Sequence, residues 1–427
     1  MIRAFRNQKP LWHTRTKPSP LPSRARIHGD ELRVESCLGA TVAARCGNQG
    51  VPLRESTAEP IAAAPGSINL TAIANLHSGG RFLTTRREFL TQATAAGVLA
   101  ATSVQCARVP KAGTDPGGSQ VAHAGVVQTV LGPLDASKLG FTLTHEHVCR
   151  CPLKVFGDRA NAVAKAVDKL KEARDAGVDT VVDVTPFDVE RDIRFGEEVS
   201  RKSGMQIVAC TGQHVLAPES FNERTVEEIT EIFIREIERG IGGTDIKAGV
   251  IKVAASSGAM TLAEEKVFRA AARASKATGV PVETHTNSPQ RGGETQAAIF
   301  EAEGLSSTRV SLGHSDDTDD MDYLTGLAKR GYTLGMDHAF WGLAPGARLP
   351  WQRRVACIKQ LVDAGFVDRL FLSNNWVFGD VERENVNPDG LLYTTRKTIP
   401  YLKQIGVSQR EIRAITVENP KRFFSRS

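Results

Sequence analysis

Leu139-Gly140-Phe141-Thr142-Leu143-Thr144-His145-Glu146-His147 is a short apolar run that closes on a His-x-His. In a strand, side chains at i and i+2 share a face. The spacing therefore sets His145 and His147 side by side at a strand end and turns Glu146 away. Paired imidazoles suit zinc and related metals. Taken alone, two strand histidines are as readily surface or core residues with ordinary hydrogen bonds. The weight of the reading comes from what recurs downstream.

Strand-like apolar runs recur at 141–147, 180–184, 206–211, 248–254, 280–285, 309–314, 332–337 and 369–374. Amphipathic helical stretches fill the intervals, at 161–176, 188–203, 225–239, 261–278, 293–303, 319–329 and 351–364. Gly or Pro marks most joints, as at Gly177, Gly204, Gly279, Pro281, Gly331 and Gly365. Strict alternation of this kind predicts an α/β fold, a (β/α)8 TIM barrel closed by right-handed crossovers. A doubly wound open sheet is the competitor. It is disfavoured because no glycine-rich nucleotide fingerprint follows the first strand.

In such a barrel the active site lies at the C-terminal ends of the strands. His145 and His147 end the first strand. Lys252 lies in the fourth, His285 ends the fifth, His314 ends the sixth, and Asn375 follows the eighth. Each has an ordinary explanation: a core histidine, a solvated lysine, a capping asparagine. Four histidines and a lysine converging on one barrel mouth raise the metal reading above those alternatives.

The same stretches resemble the phosphotriesterase family of the amidohydrolase superfamily. The likeness runs from Val127-Gln128-Thr129-Val130-Leu131-Gly132-Pro133 to Asn419-Pro420-Lys421-Arg422-Phe423-Phe424. It is most specific at 140–147, at Gly249-Val250-Ile251-Lys252-Val253-Ala254 and at Gly313-His314-Ser315-Asp316-Asp317-Thr318-Asp319. The resemblance implies two divalent metal ions, zinc, bridged by Lys252 after its carboxylation by CO2. It implies that His145 and His147 hold the more buried ion, and His285 and His314 the more exposed one. A bridging hydroxide would then attack phosphorus or an acyl carbon.

The family has an aspartate as its last ligand, where this chain has Asn375. An amide oxygen can touch a metal but carries no charge and is a poor base, so metal retention and proton removal are both put in question. Asp317 and His338 carry over as the rest of a proton relay, with Asp317 expected next to position 375 and His338 beyond it. His214, Trp341 and Trp376 are candidates to line the substrate pocket, the tryptophans serving equally well as packing for rim loops. Substrate choice stays open between phosphotriesters, lactones and aryl esters. A homodimer is implied by the resemblance alone.

The rest of the 427 residues read differently. Residues 1–83 are rich in Arg, Pro, Ser and Ala and show no sustained period, which predicts disorder or a leader upstream of the native start. Thr84-Thr85-Arg86-Arg87-Glu88-Phe89-Leu90 and the Ala-rich stretch after it resemble a twin-arginine export signal over 84–110. The apolar part is too short for a stable membrane span. These features predict an exported protein, periplasmic or membrane-associated, whose mature form begins after about residue 105. The barrel is expected over 124–427. The net charge of +6 owes much to the leader and predicts no nucleic-acid partner. The seven cysteines fit neither a zinc knuckle nor a disulfide framework. Two classes of function remain: a metal-dependent hydrolase of small-molecule esters or phosphotriesters, and a non-catalytic barrel that keeps the pocket.

Overall fold

A computed structural model describes residues 125–214 and 219–426. The expected leader and export segment lie outside the described residues. Among the described residues there are ten strands: β1 (Val126–Thr129), β2 (Gly132–Asp135), β3 (Thr142–Glu146), β4 (Thr180–Asp183), β5 (Gln206–Gln213), β6 (Val250–Ala254), β7 (Val282–His285), β8 (Val310–Leu312), β9 (Thr333–Met336) and β10 (Leu370–Leu372). Strands β3 to β10 form one parallel sheet in chain order. They match the eight apolar runs. The hairpin of β1 and β2 was not anticipated, because its strands are short and the second contains Pro133.

The sheet curls until its ends meet. Asn375 N–H donates to the His145 carbonyl at 2.9 Å, His147 N–H to the Trp376 carbonyl at 2.8 Å, and Phe378 N–H to the His147 carbonyl at 3.0 Å. The seam is thus sewn by the residues just after β10, not by β10 itself. Glu146 reinforces it. Its buried carboxylate accepts from Ser373 Oγ at 2.7 Å, the Asn374 backbone N–H at 2.8 Å and side-chain Nδ2 at 3.0 Å, and Trp376 N–H at 2.6 Å. The side chain that strand alternation turns away from the histidines is the one that locks the barrel.

Alternation also divides the core. Leu143, Val181, Ile207, Ile251, Val282, Leu312, Leu334 and Leu372 pack outward against the helices. Val182, Val208, Val250 and Phe371 join Val127, Phe423 and Phe424 in a second cluster inside the barrel, towards the start of the strands. Two of the long helices start on capping boxes, Thr225 with Glu228 and Thr261 with Glu264. Among the described residues no helix is long and apolar enough to cross a membrane.

Candidate metal centre

The anticipated residues do meet at the C-terminal ends of the strands. A register shift in β3 between Leu143 and Glu146 brings His145 and His147 onto the mouth. His314 and Asn375 follow their strands in left-handed conformation, with φ of 59° and 45°. That conformation is uncommon outside glycine and suits Asn better than most residues. Gly313 has a separate reason: a Cβ there would lie 2.2 Å from the Thr284 carbonyl and 2.9 Å from the His145 ring. Glycine leaves room for the His145 imidazole at the end of β8.

Lys252 Nζ is 2.7 Å from His145 Nε2. His314 Nε2 is 2.8 Å from His285 Nδ1. The His145 ring centroid is 6.0 Å from that of His147 and 4.8 Å from that of His314. Three of the imidazoles are held from behind by their other nitrogen. His145 Nδ1 faces Glu283 Oε1 at 3.1 Å and Asp337 Oδ2 at 3.2 Å. His147 Nδ1 meets Thr185 Oγ1 at 3.1 Å, and that hydroxyl donates to Asp183 Oδ2 at 3.2 Å. His314 Nδ1 meets Asp337 Oδ1 at 2.6 Å. Carboxylate and hydroxyl partners of this sort fix tautomer and ring orientation behind a metal.

The electrostatics agree. Burial, then Lys252 and neighbouring imidazoles, holds His145, His147 and His285 well below the usual imidazole range; burial and His338 do so for His314. These rings are neutral, the form that ligates metals. Burial also draws the Lys252 ammonium down to about 8, with Glu283 and Asp337 pulling the other way. Burial pushes the Glu283 carboxyl well up, while Lys252 beside it opposes the shift.

These residues fit a metal. The donor atoms of His145, His314 and Asp337 lie within 4.8 Å of one another. Asn375 Oδ1 is buried and has no hydrogen-bond partner. Imidazole nitrogens with an oxygen donor make a set suited to zinc.

The relay differs in order from expectation. Asn375 Nδ2 lies 2.6 Å from His338 Nε2, and His338 Nδ1 lies 2.8 Å from Asp317 Oδ2. His338, not Asp317, is therefore the neighbour of residue 375. Arg354 Nη1 binds the other Asp317 oxygen. Burial would lower the His338 imidazole, but Asp317 and the nearby Asp337 and Asp316 outweigh it and raise it. Burial would raise the Asp317 carboxyl, but His338 and Arg354 bring it down to about 2. The His338 ring also stacks on His314 at 3.7 Å.

Of the pocket candidates, His214 meets His285 edge to face at 5.3 Å, and its backbone N–H donates to Asp188 at 2.9 Å. Burial drives its imidazole down to about 4. Trp341 is partly exposed, 6.3 Å from His338, beneath the Arg383 guanidinium at 5.3 Å. Trp376 is 3% exposed and packs on Phe378 in the core. Sequence reasoning missed Glu283, Asp337, Thr185, Arg354 and Arg383. For Glu283 a signal existed: it stands two residues before His285 on one strand face.

The model of the phosphotriesterase family matches residues 125–424. The chain belongs to the phosphotriesterase family. It is 34% identical over 314 residues to an aryldialkylphosphatase of Saccharolobus solfataricus, covering 68% of this chain and 97% of that one. It is 34% identical over 323 residues to a phosphotriesterase homology protein of Mycobacterium tuberculosis, covering 70% and 98%. It is 26% identical over 351 residues to an N-acetyltaurine hydrolase of Xenopus tropicalis, covering 71% and 98%. For a phosphotriesterase-family barrel, metal-dependent hydrolysis is the coarse activity; the names of the relatives divide over the bond that is broken.

Proposed function

We propose that this chain is a zinc-dependent hydrolase of phosphotriesters, with lactones and aryl esters as further candidate substrates. The observation that carries the reading is the gathering of three buried imidazoles, His145, His147 and His314, and the half-buried His285 near Lys252, with the His338–Asp317 pair beside it. His145 and His147 would hold one ion, His285 and His314 the other, and Asn375 would offer its unpartnered oxygen. Lys252 suits carboxylation: with its ammonium drawn down to about 8, on the order of a tenth is free amine at pH 7. The amine nitrogen adds to CO2 and releases a proton, giving a carbamate whose two oxygens can each meet a cation. When bound, the metals would polarise the ester oxygen and acidify water.

The chain's own residues do the rest. His338 accepts the proton released as water adds at phosphorus, and Asp317, clamped by Arg354, holds the imidazole and balances its charge. Asn375 orients His338 but takes no proton, since an amide is not a base. Trp341 and His214 would flank the leaving group. Asn375 also supports a second reading, a weakly active or non-catalytic metal-binding barrel. The export segment supports a periplasmic or membrane-associated protein, and family membership supports a homodimer.

Hydrolysis of a chromogenic phosphotriester and a lactone panel, with zinc and bicarbonate supplied, tests the reading. Turnover that follows zinc content supports the hydrolase. Two equivalents of bound zinc without turnover on any substrate would favour the second reading.

A further inference from the structure

Arg383 lies in the short helix Val381–Val386, beyond Asn375 in the loop that follows β10. Its side chain is 27% exposed. It turns back over the barrel mouth: Nη1 donates to the Asn375 carbonyl at 2.9 Å, and the guanidinium covers the Trp341 ring at 5.3 Å. Trp341 in turn stands 6.3 Å from His338. A carbonyl and an aromatic ring thus hold the guanidinium beside the site. Its Nε faces Asp380 Oδ2 at 3.2 Å, and the other oxygen of that carboxylate accepts the Arg383 backbone N–H at 3.1 Å. Among the described residues Nη2 has no hydrogen-bond acceptor.

A second cation adjoins it. The seam sets the residues after β10 beside those after β3, and Arg150 lies just past His147. The two guanidiniums are close enough to repel. Arg150 Nε is buried without a hydrogen-bond partner. The carboxylate facing Arg150, Glu190 at 3.0 Å, is 78% exposed, where solvent weakens the pair. One side of the mouth therefore carries two positive charges and two donors with nothing to meet. A neutral ester offers them no partner. A carboxylate does, because a guanidinium held in place loses little freedom on binding one and the hydrogen bond is charge-assisted.

We propose that Arg383, with Arg150 beside it, receives a carboxylate carried by the leaving group of the substrate. The proposal rests on the hydrolase reading above, in which Trp341 flanks that group, and it narrows the substrate class to esters with an anionic leaving group. Arg383 binds and selects; it moves no proton.

The test uses the zinc-loaded full chain and two chromogenic esters that differ in one group: a nitrophenyl leaving group, and the same ring bearing a carboxylate. The readout is the ratio of kcat/KM for the charged ester to that for the neutral one. Arg383→Gln can disturb Asn375 through its carbonyl, but that disturbance acts on both esters and cancels in the ratio. Loss of a charge-assisted hydrogen bond should lower the ratio about 10–100-fold, through KM more than kcat. Arg383→Lys, which keeps the charge, should restore part of it. A ratio equal in the unaltered chain and Arg383→Gln overturns the proposal. Should Arg383→Gln not fold, Arg150→Gln is read in the same way: a lower ratio supports the proposal and an unchanged one overturns it. An unaltered chain that hydrolyses neither ester is a failure of the hydrolase reading instead. Equilibrium dialysis of the free carboxylated nitrophenol then decides: weaker binding to Arg383→Gln supports the proposal, and equal binding overturns it.

Discussion

The side-chain amide of Asn375 lies 2.6 Å from Nε2 of His338, and its own Oδ1 is buried without a partner. An amide in that place can orient the imidazole but can neither neutralise a cation nor take up a proton. Asn375→Asp should supply both. General acid–base groups contribute ~10²–10⁴-fold, so phosphotriester hydrolysis should rise at least roughly tenfold, with metal content rising too. Adding Asp317→Asn should remove part of the gain, because Asp317 holds the far side of the same imidazole. Steady-state rates and metal analysis of the three proteins check this. Unchanged rate and metal content in Asn375→Asp would take residue 375 out of the centre.

Lys252→Ala should lose both metals and all hydrolysis. Formate or acetate in the buffer should restore part of each by replacing the carbamate. Metal analysis after gel filtration, with and without the acid, is the measurement. Full metal content in the unsupplemented variant would show that Lys252 bridges nothing.

Asp317 makes stability depend on pH with a definite sign. Its carboxyl is held at about 2, below the ordinary 3.8, so the folded state favours the ionised form. The contribution is complete above about pH 4 and is lost as pH falls towards 2. A shift of this size corresponds to about 2 kcal/mol. Denaturant titrations of the unaltered chain and Asp317→Asn should differ by that order at pH 6 and converge on acidification. A gap that stays constant down to pH 2.5 would contradict the assignment.

Glu146 accepts four hydrogen bonds from the residues that follow β10. Glu146→Ala strands buried donors, each worth ~1–3 kcal/mol when unmet. The variant should lose at least ~3 kcal/mol by urea denaturation and should bind zinc poorly even where it folds. A loss below ~1 kcal/mol would mean that the backbone seam holds without it.

The barrel was legible because each strand is an apolar run bounded by Gly, Pro or a helix start, and because its ligand-type residues fall at the ends. The β1–β2 hairpin escaped notice: four residues a side with a proline carry too little pattern. The first layer of the site was legible for the same reason as the strands. The layer behind it was not, because Glu283 reaches a histidine 138 positions earlier and Arg354 an aspartate 37 positions earlier. No periodicity records such pairings. The order of the relay was misread because position along the chain put Asp317 first, whereas the turn after β9 carries His338 across to Asn375.

The seam between β3 and the residues after β10 joins positions 228 apart in the chain, as in the bond from His145 N–H to Ser373 Oγ. Chains are synthesised at ~5–20 residues per second, so roughly ten to fifty seconds separate the emergence of its two sides. Through that interval β3 has β4 on one side but nothing on the other. The ring of side chains comes into being only with the last fifth of the domain. Cation uptake is therefore an event of the finished chain, and a ribosome that stalls before residue 378 releases histidines but no centre.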